Sequence, residues 1–135
     1  MIKFNNTLSY GLRLLVNLAL EGKNPKQLKK IAKEENISLS YLRKLIIPLE
    51  KNGIVKSLRG PGGGFLLSRK PAQISLYEVI NTLSHSKVIA CVKGSSSCRR
   101  YGDCAVKDLL EEVYLKVQSV FKNKTLASII KRRIR

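Results

Sequence analysis

A mainly helical chain carrying one small β-hairpin is the fold class that this sequence predicts. Three observations predict it. Apolar residues recur at helical spacing along most of the 135 residues. Two short strand-like runs, "IVKSL" and "FLLS", flank the glycine-rich segment "RGPGGG". A later apolar repeat steps by four and three residues, the pattern of a helix that pairs with another helix.

Residues 6–21 read as the first helix, with Leu8, Leu12, Leu15, Val16 and Ala19 on one face. Gly22 and Pro25 end it. Residues 26–35 form a short lysine-rich helix that turns Leu28, Ile31 and Ala32 inward. The stretch "ENISLS" is then a turn in which Ser38 or Ser40 caps the next helix. That helix, residues 41–53, buries Leu42, Leu45, Ile46 and Leu49 and carries Tyr41, Arg43, Lys44 and Lys51 on its outer face. Pro48 removes one backbone hydrogen bond inside it, so a kink or break is expected there. Asn52 and Gly53 terminate it.

The two strands are expected at residues 54–58 and 65–68. A small helix over 75–84 follows, capped by Ser75, and then an irregular loop over 85–103. From Cys104 to about Lys122 a long helix carries Val106, Leu110, Val113, Val117 and Val120 as a heptad seam, widened by Leu109 and Phe121. Thr125 caps a final segment that ends in a basic tail. Two helices, a turn, a third helix and a hairpin are the order of a winged helix-turn-helix, with the glycine segment as the tip of the wing. The organisation expected is a DNA-binding domain over 1–84, a cysteine loop over 85–103, and a dimerisation helix with its basic tail over 104–135.

Charge points to the partner. There are 26 Lys and Arg against 9 Asp and Glu, a net charge of +17 spread over both halves of the chain. Such an excess is the footprint of a nucleic-acid binder, with an anionic membrane surface or simple solubility as the other readings. No apolar run approaches the ~20 residues of a membrane span, and no export signal precedes the first helix, so a cytoplasmic location is expected. One histidine and scattered acids offer no paired acid/base site for an enzyme, and no substrate pocket is visible.

In helix-turn-helix docking the second helix enters the major groove by its N-terminal end. Here that end presents Ser38, Ser40, Tyr41, Arg43 and Lys44. Hydroxyls bond phosphates or bases, Arg43 can fork onto guanine, and Lys44 supplies a point charge. A solvated basic face is the plainer reading. Arg59, Gly60, Pro61 and Gly62 at the wing tip suit a side chain laid into a narrow minor groove. A Walker-type phosphate loop is excluded, because no Lys-Ser/Thr pair and no helix start follow the glycines. Cys91, Cys98 and Cys104 are spaced too widely for a usual zinc site. Three thiolates on a loop could wrap an iron–sulfur cluster, or stay free as structural thiols. A nucleophile pairing with His85 lacks a positioned third group.

The stretch "ISLSYLRKLIIPLEKNGIVKSLRGPGGGFLLS" followed by a three-cysteine loop resembles the bacterial iron–sulfur cluster regulator. It is similar too to that protein's relatives, the nitric-oxide-sensitive repressor and the cysteine-metabolism repressor. The resemblance runs from Tyr10 to about Leu126, and "SLSYL" and "RGPGGG" are its most specific motifs. It implies a homodimeric winged-helix transcription factor, with Ser40 and Lys44 facing the major groove and Arg59 and Gly60 the minor groove. It implies that Cys91, Cys98 and Cys104 hold the cluster, although the first gap is one residue longer than in those relatives. Their histidine three residues past the last cysteine is Lys107 here. The acid that the nitric-oxide-sensitive type borrows from the partner's first helix corresponds to Ser9. The fourth ligand is therefore unassigned among Asp103, Asp108, Ser9, a partner asparagine or an exogenous molecule, and the cluster is [2Fe-2S] or [4Fe-4S].

The expectation is a homodimeric DNA-binding repressor, without a small-molecule substrate, whose operator affinity is set by an iron–sulfur cluster. The alternatives are a thiol-based regulator of the same fold without a cluster and a basic RNA-binding protein. Against the last, the predicted hairpin offers only Phe65 as an aromatic platform.

Overall fold

The computed structural model describes residues 6–83, 102 and 104–133. Among the described residues, six helices and a two-stranded antiparallel sheet follow in the order α1 (Asn6–Glu21), α2 (Leu28–Glu35), α3 (Leu39–Lys51), β1 (Val55–Leu58), β2 (Gly64–Leu67), α4 (Leu76–Leu83), α5 (Ala105–Lys122) and α6 (Leu126–Arg133). A short 3₁₀ turn, Pro71–Gln73, joins β2 to α4. The cysteine loop expected at 85–103 lies outside the described residues apart from Gly102.

The core is aliphatic, as the missing Trp and the apolar spacing require. Leu14, Leu15 and Leu18 of α1 meet Ile31 of α2, Leu42, Leu45 and Leu49 of α3, Val79 and Leu83 of α4 and Leu126 of α6. Burial of each such side chain stabilises the fold by about 1.5–3 kcal/mol. The three α3 leucines recur every third or fourth position, and that periodicity carries the helix through Pro48. No break occurs there, contrary to expectation. Proline deletes the bond to a single carbonyl, that of Lys44, an exposed residue, while Leu45, Ile46 and Leu49 stay buried on either side.

Capping follows the sequence at Ser38 and Ser75, while at α6 Ser128 rather than Thr125 supplies the accepting hydroxyl. Ser75 Oγ accepts from the Glu78 N–H at 3.1 Å, and Ser128 Oγ accepts from the Thr125 N–H at 3.4 Å, so Ser128 reaches back to the start of α6. Backbone bonds from the Leu76 N–H to the Lys124 carbonyl (2.9 Å) and from the Leu126 N–H to the Ile74 carbonyl (3.1 Å) set the start of α6 against the segment between the 3₁₀ turn and α4. The segment after the long helix thus packs on α1 and adds Leu126 to the core. No described helix is long and apolar enough to cross a membrane.

Candidate DNA interface

α2 and α3 meet through a turn in which Asn36 adopts the left-handed region at φ 53° and Ile37 is buried. Ser38 is the N-cap of α3: its Oγ accepts from the Tyr41 N–H at 3.3 Å and lies 3.2 Å from the Ser40 hydroxyl. The first turn of α3 therefore presents Ser38 and Ser40 to solvent, with Arg43 and Lys44 exposed behind them. Tyr41, expected beside them, has another engagement. Its ring packs edge-on against Tyr10 with centroids 5.5 Å apart, and its hydroxyl shares a 2.6 Å hydrogen bond with Thr7. Tyr41 pins α3 to α1 and so sets the angle at which the serines and Arg43 stand.

β1 and β2 pair in register from Val55 opposite Leu67 to Leu58 opposite Gly64. At the tip the Gly63 N–H donates to the Gly60 carbonyl at 2.9 Å, around Pro61 and Gly62, the latter at φ 75°. Proline followed by a positive-φ glycine is the pattern of a type II turn. Arg59, Gly60, Pro61 and Gly62 are all exposed, so the guanidinium leaves a rigidly closed turn directly into solvent. Ser57 donates to Glu50 Oε1 at 2.9 Å, tying this wing to α3.

The wing's other attachment was not legible in the sequence. Lys26, expected on a lysine-rich helix, sits before α2 in extended backbone, and its N–H and C=O exchange 2.8 Å bonds with Phe65 of β2. Its side chain is 7% exposed. There Nζ donates to Asn17 Oδ1 and Glu34 Oε2 at 2.6 Å and pairs with Glu21 at 2.9 Å. Burial opposes the charge, but the hydrogen bonds to Glu34 and Glu21 outweigh it and hold Lys26 above its ordinary value. The same ammonium, with Asn17, holds the Glu34 carboxyl below its own. Gly64 is what allows this strand to lie so near, since a Cβ there would come within 2.6 Å of the carbonyl carbon and oxygen of Lys26.

Ile47 is the second residue the sequence did not single out. At about 100° per residue it falls in the middle of the face formed by Ser40, Arg43, Lys44 and Lys51, opposite the buried leucines. α5 shows the same exposure at larger scale. Val106, Leu109, Val113 and Val120 are each more than half exposed and no residue of the helix is buried, while Leu110 and Val117 are half-buried.

Of the expected cluster ligands, Cys104 is described: a free, half-buried thiol at the N-cap of α5. Cys91, Cys98, His85 and Asp103 lie outside the described residues. Ser9 is exposed on α1 and Asp108 is exposed in the first turn of α5, and among the described residues no three His, Cys, Asp or Glu side chains converge.

Residues 4–132 match the Rrf2 family, described as an iron-dependent transcriptional regulator. The chain belongs to that family. The HTH-type transcriptional regulator IscR of Sodalis glossinidius is 34% identical over 122 residues, covering 90% of this Rrf2 chain and 74% of that protein. Among solved structures, T. potens IscR matches with a TM-score of 0.80 at 31% identity, covering 98% of this chain and 88% of that one. CymR, the global cysteine regulator of B. subtilis, matches with a TM-score of 0.77 at 30% identity over 98% of both chains. This Rrf2 protein is accordingly a winged-helix transcriptional regulator and not an enzyme.

Arg59→Ala is expected to weaken specific duplex binding by about 1–3 kcal/mol, most on sites with A·T pairs under the wing, where the groove is narrow. Gly62→Val is expected to do similar damage with no charge removed, because φ 75° resists a branched side chain. Equilibrium binding on duplexes differing only in that A·T stretch checks both. Wild-type affinity of Arg59→Ala on every duplex would reduce the tip to a turn.

Proposed function

We propose that this protein is a homodimeric, sequence-specific DNA-binding repressor. It reads the major groove with Ser38, Ser40, Arg43 and Lys44 and the minor groove with Arg59 and its turn. The observation that carries the reading is the bracing of two solvent-exposed basic elements into one unit: α3 through Tyr41 and Thr7, the wing through Ser57 and Lys26. The apolar face of α5 supports pairing of two copies, which would place two recognition helices over two half-sites.

Control by an iron–sulfur cluster belongs to the same proposal. Cys91, Cys98 and Cys104 would hold it, and the one described donor suits it: a soft sulfur ligand at the head of an eighteen-residue helix, whose positive end favours an anionic group. When bound, the cluster would supply an iron- and redox-sensitive charge at that point. Cys104 stands at the N-cap of α5, so a group bound there would be felt at the proposed dimer helix. A thiol-based regulator without a cluster is the second reading, favoured by Lys107 standing where the cluster regulators carry histidine and by the likeness to CymR.

The test is anaerobic purification with iron and sulfide quantification, followed by duplex binding over a range of salt. Log affinity is expected to fall with log salt by about 0.9 per phosphate neutralised. Stoichiometric iron and sulfide, lost in Cys104→Ala together with a change in operator affinity, supports cluster control. Binding that answers only to thiol oxidation supports the second reading. A flat salt dependence would overturn DNA binding itself.

A further inference from the structure

We infer that Ile47 reads the 5-methyl group of a thymine in the major groove and so fixes base preference beyond the reach of the polar contacts. The inference rests on α3 being the DNA-reading helix. Ile47 is 65% exposed, the largest value among the exposed large hydrophobic residues described. It is not at the edge of the core. Ser40, Arg43, Lys44 and Lys51 surround it on the outward face, while Leu42, Leu45, Ile46 and Leu49 occupy the opposite side.

The character of that face defines the partner. An apolar side chain ringed by Arg43, Lys44 and Lys51 will not meet an apolar protein surface without desolvating those cations. A nucleic-acid groove satisfies both demands, since phosphates take the cations and thymine alone among the bases offers an apolar methyl at the major-groove edge. Ile47 lies seven residues past Ser40, about 10 Å along the helix axis, or roughly three base steps. It therefore addresses a different base pair from the one under Ser40. Among the described residues the α5 seam is a larger exposed apolar surface, and it carries Glu111 and Glu112 beside Lys116, a mixed rim unlike that of α3.

The experiment uses duplexes enriched by the full-length protein from a random-sequence library. Each thymine of the enriched half-site is then replaced singly by deoxyuridine, which removes only the methyl group. One position is expected at which deoxyuridine weakens wild-type binding about tenfold, the usual scale of a good base contact. Ile47→Ala is expected to bind the thymine and deoxyuridine duplexes equally at that position, to discriminate normally elsewhere, and to unfold at the wild-type temperature. Thymine discrimination by Ile47→Ala equal to wild type at every position would overturn the inference, as would a wild-type protein indifferent to every substitution. If the wild-type protein enriches no sequence, the DNA-reading assignment of α3 falls and this inference with it. Enrichment with Arg59-dependent affinity but no methyl effect removes the role of Ile47 alone.

Discussion

Aspartate at both Val113 and Val120 is expected to leave the protein monomeric and unable to hold an operator. Both side chains are more than half exposed, so the substitutions touch little of the protomer's own packing. They stand two helical turns apart on the face that also carries Val106 and Leu109. Val117 is the poorer choice, because it is half-buried and would mix loss of pairing with damage to the protomer. Across a two-fold axis four valines would leave water, each contributing about 1.5 kcal/mol. Since each is already about half covered in the protomer, their loss with carboxylates brought together amounts to about 4 kcal/mol, or roughly a thousandfold in dimer dissociation. Each monomer would then hold one half-site only. Sedimentation measures the first effect and binding to an enriched duplex the second, with circular dichroism expected to be unchanged. A double variant that still sediments as a dimer sinks the assignment of α5.

Lys26→Met is expected to lower stability by about 2 kcal/mol in urea unfolding. Breaking a buried ion pair commonly costs about 3–5 kcal/mol, and the smaller figure reflects carboxylates that remain partly in water. The pH profile identifies the cause. The part due to the raised lysine is complete below the unfolded value of about 10.4 and is lost as pH rises through the higher folded value. The part due to the lowered Glu34 is complete above about 4.3 and is lost as pH falls through the lower folded value. The difference between wild type and Lys26→Met is therefore expected to be flat from about pH 5 to 10 and to shrink on both sides. A constant difference from strong acid to strong base would show that packing of the lysine stem, not its charge, is responsible. Gly64→Ala attacks the same junction from the wing. It sets a Cβ 2.6 Å from Lys26 backbone at φ 152°, and a comparable loss without any pH signature is expected.

The apolar spacing determined the helices α1 to α5 and both strands to within a residue or two, because each amphipathic segment states which side it must bury, whereas the extent of α6 came only with the structure. The turn at Gly60–Gly63 was equally legible, since proline followed by glycine leaves few alternatives. The basic character of α3 and the wing needed no structure either, charge being a property of composition. What the sequence could not determine is which exposed-looking residue is taken out of water by a distant segment. Lys26 reads as one lysine among several until Phe65 pairs with its backbone and Asn17, Glu21 and Glu34 close on its ammonium. Tyr41 reads as a groove residue until Tyr10 and Thr7 claim it from α1. Ile47 reads as one more apolar residue in "LIIPL" until the packing of Ile46 and Leu49 turns it outward. Pro48 reads as a break until burial on both sides outweighs one missing hydrogen bond. Local periodicity fixes the face of an element, but only tertiary contacts decide which members of that face are covered, because burial energy belongs to pairs of segments and not to either segment alone.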